Sequence, residues 1–207
     1  MDEREKTALS DGRVARGART KREIVQAYIA LLLELRQIPT ATQVAQRAGY
    51  SLRTLYVHFA DISSLSLAAC DYAIELGLAT AAATDRLDGD RETRIRQQVA
   101  VRAEICERWL PLWRIMLYYQ ELVPELGQRV SLARQLIRTR IEIMYRAELA
   151  ALEPFAHTAM LAALESLTDF ESWGRLREDH GLSCEEACRS WILVIDRVLP
   201  PTPSPDR

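Results

Sequence analysis

Side chains able to do chemistry are unevenly spread along this sequence. Its three histidines, His58, His157 and His180, stand far apart, and of its four cysteines, Cys70, Cys106, Cys184 and Cys188, only the last two are close in sequence. A hydrolytic nucleophile needs a base and an acid beside it, and a zinc site needs further ligands at short spacing, so neither is expected here. The eight glycines never gather into GxGxxG or GxxxxGK, which leaves no phosphate-binding loop. The reading is therefore no enzyme, no metal and no cofactor. The cysteines are expected as reduced structural residues, with redox sensing as the alternative. One stretch does bring polar and basic groups together, Ser51 to Phe59, reading SLRTLYVHF. On a short helix, Leu55 and Phe59 fall on one face. Arg53, Thr54, Val57 and His58 are left on the other, with Ser51 and Leu52 at the N-terminal end. Such a face can enter a DNA major groove, where a guanidinium can donate to guanine O6 and N7 at once.

A face of this kind works only if other helices hold it. Thr40 to Phe59 reads TATQVAQRAGYSLRTLYVHF, a helix, a short turn containing Gly49 and a second helix, which is the helix-turn-helix pattern. Thr40 and Gln43 form a capping box that opens the first of these helices, which ends near Ala48, and Gly49 supplies a left-handed C-cap. Ser51 can cap the second, Leu52 to Phe59. Val44, Ala45, Tyr50, Leu55 and Phe59 must pack together, and small Ala45 and Ala48 allow a close crossing. Ahead of them Ile24, Ala27, Tyr28, Leu31 and Leu35 form the apolar stripe of a helix expected over Lys21 to Arg36, capped by Thr20 and Glu23.

The string AxRAGYSxxTLYxHFxD, preceded by a capped helix, resembles the DNA-binding domain of the TetR family over about Arg19 to Leu65. The resemblance implies a homodimeric, all-helical regulator bound to a palindromic operator in double-stranded DNA. It places Ser51, Leu52, Arg53 and Thr54 at or near base edges, Tyr56 and His58 on phosphate, and Thr40 on phosphate through the start of its helix. Thr42, Arg19, Lys21 and Arg22 complete the implied DNA-contacting set. Two positions depart from the family pattern. Leu52 stands where a polar residue is usual and can offer only an apolar contact. Ile62 stands where many members carry a phosphate-gripping lysine, for which Arg13, Arg16, Arg19, Lys21 and Arg22 can compensate as a flexible basic arm. Read as residues alone, Tyr56 could be a core aromatic, His58 a surface histidine, and the arm a solubilising tail.

Charge is distributed in the same sense. Between Gly12 and His58 eight basic residues face two acidic ones, a net of +6, and since the chain carries −2 the remainder carries −8. That asymmetry suits one part meeting phosphate and another avoiding it. Hydrophobic residues at 48% and charged residues at 27% match a globular protein with a real core. The longest apolar run, Tyr28 to Leu33, is far below the roughly 20 residues of a membrane-spanning helix, and no apolar segment follows the charged Met1 to Lys6. The expected setting is the cytoplasm, with no membrane partner.

Beyond the helix-turn-helix, apolar residues recur at three and four spacing, so the fold class is all-α. The expected organisation is a basic N-terminal arm over 1–18, a three-helix DNA-binding domain over 19–65, a larger helical effector-binding and dimerisation domain over 66–199, and a disordered proline-rich tail over 200–207. Helices are expected near Ser64 to Ala83, Arg91 to Arg108, Pro111 to Glu121, Pro124 to Leu152, Pro154 to Glu178 and Cys184 to Leu199. Met160, Leu164 and Leu167 in the penultimate helix, with Trp191, Val194, Ile195 and Val198 in the last, are read as a twofold interface forming a four-helix bundle; burial within one subunit is the alternative. Trp109, Trp113, Arg114, Met116, Leu117, Tyr118 and Tyr119 are candidates to line a site for a small apolar or aromatic effector, the alternative being that these aromatics simply fill the core. The function expected is a repressor released by that effector. A ligand-independent architectural DNA binder and a helical protein-binding adaptor are the alternatives.

Overall fold

The computed structural model describes residues 3–83 and 89–203, with side chains from Val14 onward. Among the described residues the regular elements are all helices: α1 (Glu3–Leu35), α2 (Ala41–Ala48), α3 (Leu52–His58), α4 (Ile62–Ala83), α5 (Arg91–Tyr119), α6 (Pro124–Met144), α7 (Arg146–Leu149), α8 (Pro154–Leu167), α9 (Phe170–Gly174) and α10 (Cys184–Val198). A π-helical turn, Arg175–Asp179, continues α9. The all-α class expected from periodicity is what is found.

Four boundaries differ from expectation. The first helix begins at Glu3 rather than at Lys21, so the segment read as a flexible arm continues α1. Proline is absent from it, and Glu23, read as half of a capping box with Thr20, is instead held by Arg19 Nε at 2.9 Å and by the Tyr50 hydroxyl. The side chain of Arg13 lies outside the described residues. Pro111 does not divide α5, which runs through it. The proline removes one backbone hydrogen bond, but Trp109, Leu110, Leu112 and Trp113 are buried on both sides of it, so packing holds the helix together. The helix expected over Pro154 to Glu178 breaks at Thr168 and Asp169. Asp169 accepts from Ser172 N at 2.6 Å and so caps a new helix. A further break at Tyr145 separates α6 from α7.

Helix α5 is the hub, packing against α1, α4, α6, α9 and α10. Near its start Asp90 caps it through Thr93 N at 2.8 Å. Between α4 and α5, Thr84 to Asp88 lie outside the described residues. One turn on, Arg94 donates to the fully buried Glu148 carboxylate at 2.5 and 2.9 Å and to the Met144 carbonyl at 2.6 Å. The tail joins this network. Thr202 Oγ1 donates to Glu148 at 2.5 Å, and Arg91 donates to the carbonyls of Leu199 and Pro200 at 3.0 and 2.5 Å. Residues 200–203 therefore have no regular structure but are tied to the core, unlike the free tail expected; 204–207 lie outside the described residues.

By length and composition α4 could cross a bilayer. In this fold it is the strut between the two ends of the molecule, packing against α1, α5 and α6. Its first half buries Leu65, Ser66 and Ala69, and Ser66 Oγ meets Tyr28 Oη of α1 at 2.7 Å.

Candidate nucleic-acid interface and interior cavity

Helices α2 and α3 form the paired unit expected from Thr40 to Phe59. Thr40 accepts from Gln43 N while the Gln43 side chain accepts from Thr40 N at 2.8 Å, closing the capping box. Gly49 adopts φ 75°, its N–H reaches the Gln46 carbonyl at 3.2 Å, and Tyr50 N reaches the Ala45 carbonyl at 2.9 Å. The turn is thereby fixed and the second helix redirected. Ser51 accepts from Thr54 N at 3.1 Å to start α3. Val44, Ala45, Leu55 and Phe59 are buried in one core with Ile24, Tyr28 and Leu32 of α1, on which α2 packs. A Cβ on Gly49 would meet no atom within 4 Å, so only the left-handed backbone opposes substitution. Gly49→Ala is expected to cost about 1–2 kcal/mol, read as a lower urea midpoint; an unchanged midpoint would show that the turn relaxes without strain.

The opposite face of α3 is open. Ser51, Leu52, Arg53, Tyr56 and Val57 are exposed, with Thr54 and His58 half-buried. Tyr56 is 52% exposed, which removes the core-aromatic reading. His58 lies beside Gly17 of α1, so it is partly sheltered rather than a free surface residue. Thr40 and Thr42 are exposed at the start of α2. From α1, Arg16, Arg19, Lys21 and Arg22 are exposed. Lys21 Nζ stands 5.6 Å from the Phe59 ring centre, at the edge of the α3 face. Among the described residues Arg19 is held by an exposed pair with Glu23, a weak interaction that a phosphate could replace.

A second feature lies in the other part of the molecule. Helices α4, α5 and α6, with Phe170 of α9, line a partly open apolar cavity of about 110 Å³. Three of the seven expected effector residues, Trp109, Trp113 and Met116, line it, and Trp113 stacks on Phe170 with ring centres 4.7 Å apart. The other four do not. Arg114, Tyr118 and Tyr119 face a separate, open cleft beside Arg36 and Ile38, where Arg114 pairs with Glu178 at 2.9 Å, and Leu117 lines neither. The reason is that α5 continues through Pro111, so residues adjacent in sequence point to opposite sides of one helix. Unpredicted were the walls supplied by α4 and α6 and the side chains of Arg102 and Arg140. Ala73, Gly77 and Ala81, small residues at four-residue spacing on α4, were the available signal: they leave the space that the cavity occupies.

The residues read as a twofold interface divide as well. Leu164, Trp191 and Ile195 are buried within the chain, Trp191 at 1% exposure beside Trp173 with ring centres 4.9 Å apart, so they cannot meet a second copy. Met160 and Leu167 are half-buried, and Val194 and Val198 are exposed. The open apolar side chains of these helices are Val194, Val198, Leu193 at 58% exposure and Phe155 at 79%. Cys70 and Cys106 are buried and Cys184 and Cys188 are unbridged; burial pushes the Cys106 thiol up to about 11 and the Cys70 thiol up to about 12, which leaves both unreactive.

The same arrangement of helices occurs in solved structures. A protein assigned to the TetR family of transcriptional regulators from Rhodococcus sp. superposes with a TM-score of 0.68 at 18% identity, over 87% of this chain and 98% of that one. Another assigned to that family, from Mesorhizobium loti MAFF303099, gives 0.65 at 18% identity, over 90% and 99%. The multidrug binding protein EbrR, complexed with imidazole, gives 0.60 at 18% identity, over 90% and 91%. At such identities the likeness is one of fold. No protein-family profile matches the sequence, and no curated protein matches it.

Proposed function

We propose that this chain is a TetR-type transcriptional regulator that binds operator DNA through the exposed face of α3 and is released from it by a small molecule. The observation that carries the proposal is the α2–α3 unit, capped at both N-termini and packed on α1, with Arg53, Tyr56 and Val57 left open to solvent. A regulator of this kind works in the cytoplasm.

Arg53 is assigned to a base edge, Ser51, Leu52 and Thr54 to the same groove, and Tyr56, His58, Thr40 and Thr42 to phosphates. Arg19, Lys21 and Arg22, carried on a helix rather than on a loose arm, reach the flanking backbone. Arg53→Ala is expected to weaken operator binding by about 1–3 kcal/mol and to relax preference at one base of each half-site. Equal losses on specific and random duplex at fixed salt would refute base reading by this residue.

Two heads must be held about one DNA turn, roughly 34 Å, or a multiple apart, which calls for a twofold dimer. The exposed apolar side chains of α8 and α10 are the surface assigned to it. Selection of bound sequences from a random duplex pool tests the proposal as a whole. A palindrome is expected. No enrichment over random sequence would overturn sequence-specific regulation; in that event duplex binding without preference favours an architectural role, and no duplex binding favours an adaptor.

The cavity is assigned to the effector, and α4 to its coupling with the heads. The first half of α4 grips α1 through Ser66, and its second half lines the cavity through Ala73, Ile74 and Gly77. A ligand that shifts this half tilts the helix on which the head rests, and head separation then no longer matches the groove. Coupling of about 1–3 kcal/mol is typical and must be reciprocal.

A further inference from the structure

Arg102 sits in the cavity wall at 2% exposure. Its Nε and Nη2 both donate to the Thr168 carbonyl at the end of α8, at 3.1 and 2.7 Å, and its guanidinium carbon lies 5.1 Å from the Phe170 ring centre. Among the described residues Nη1 has no hydrogen-bond partner and no carboxylate pairs with the group. Arg94 shows how the same fold treats a buried guanidinium that serves structure alone: both of its Nη atoms meet the Glu148 carboxylate. A buried cation is costly unless an anion or several hydrogen bonds compensate it, and a helix C-terminus supplies only about half a charge.

The remaining lining points the same way. Among the described residues Arg102 and Arg140 contribute the only charges of the cavity wall, and no aspartate or glutamate among them lines it. Other walls are apolar, with the rings of Trp109, Trp113 and Phe170 among them. An engineered closed cavity of about 150 Å³ holds benzene; the space here, about 110 Å³ and open on the side of the exposed Leu78, is of the same order, with room for a substituent at its mouth.

We propose that the cavity takes a single-ring aromatic carboxylate, its carboxylate accepting from Arg102 Nη1 and its ring lying against Trp109 and Trp113. This deepens the effector reading above and rests on it for the regulatory consequence, but not for binding. Arg102 is then the specificity-determining residue: it selects an anion, while the apolar walls select an uncharged ring behind it.

Titrating the free protein with benzoate, benzamide and benzylamine, followed by tryptophan fluorescence, tests the assignment without DNA. Benzoate is expected to bind at least about tenfold more tightly than benzamide, the effect of one charge-assisted hydrogen bond, and benzylamine not at all. Arg102→Gln, with its fold checked by circular dichroism, should lose the preference for benzoate, and Arg102→Lys, which keeps the charge, should retain part of it. Benzamide binding as tightly as benzoate, or no saturable benzoate binding, overturns the proposal even if neither variant folds. Operator titration at saturating benzoate then separates the two readings. Benzoate preference with unchanged operator affinity upholds the anion site and refutes its effector role.

Discussion

Replacing Glu148 with glutamine is expected to destabilise the fold by about 3–5 kcal/mol, the usual result of removing one partner from a buried ion pair. Arg94, itself buried, would keep its charge and lose the carboxylate that pairs with it. The same variant should alter the response to acid. Burial by itself raises the Glu148 carboxyl, but hydrogen bonds from Arg94 and Thr202 prevail and hold it at about 2, below its ordinary 4.5. A carboxyl depressed in the folded state stabilises fully above its ordinary value and loses that contribution as pH falls through the folded one. The wild-type chain is therefore expected to lose about 3 kcal/mol between pH 4.5 and 2 on account of this group. Urea unfolding of both proteins across that window checks it: the two curves should converge as pH falls. Parallel curves would show that the pair contributes nothing to acid sensitivity. Replacing both partners with apolar residues should cost less than Glu148→Gln alone, because no unpaired charge is then left behind.

Leu193→Glu is expected to split the proposed dimer and to lower operator affinity by about a thousandfold or more, since one head forfeits half of the contacts that separate specific from non-specific binding. The monomer should fold as well as the wild type, because Leu193 is 58% exposed and surface substitutions usually change stability by within about 0.5 kcal/mol. Phe155→Glu on α8 should behave in the same way. Trp191→Ala is the contrasting control. Its side chain is enclosed beside Trp173, whose Nε1 donates to Glu107 at 2.7 Å, so truncation should cost about 3–5 kcal/mol by opening a cavity. Sedimentation and thermal melting separate the two effects. A tight dimer for both Leu193→Glu and Phe155→Glu would remove these helices from the interface.

Local signals account for the parts of the molecule that were legible in advance. The capping box at Thr40 and Gln43, the left-handed Gly49 and the cap at Ser51 each depend on residues within four positions of one another, so the α2–α3 unit follows from the sequence directly. With Leu55 and Phe59 committed to the inside, a period of 3.6 turns Arg53 and Val57 outward, so that part of the candidate DNA-facing surface needed no tertiary information, whereas the place of Tyr56 was decided by its exposure in the fold. The all-α class was legible for the same reason. Tertiary structure decided whatever depended on which neighbour a helix face meets. An apolar stripe such as that of Trp191, Val194 and Ile195 says that a face is covered, not whether its own chain or a second copy covers it; the chain's own core takes Trp191, beside Trp173 of α9, and Ile195, and the flank with Val194 is left open. Whether Pro111 ends a helix depends on how much packing stands on either side of it, and the continuous α5 that results sends Trp113 into the cavity and Tyr118 to the surface. The cavity itself is made by small residues of α4 facing aromatic residues of α5 and α9 across the core, and Arg102 is one of its two described charges, held there because the end of α8, far off in sequence, takes one edge of its guanidinium.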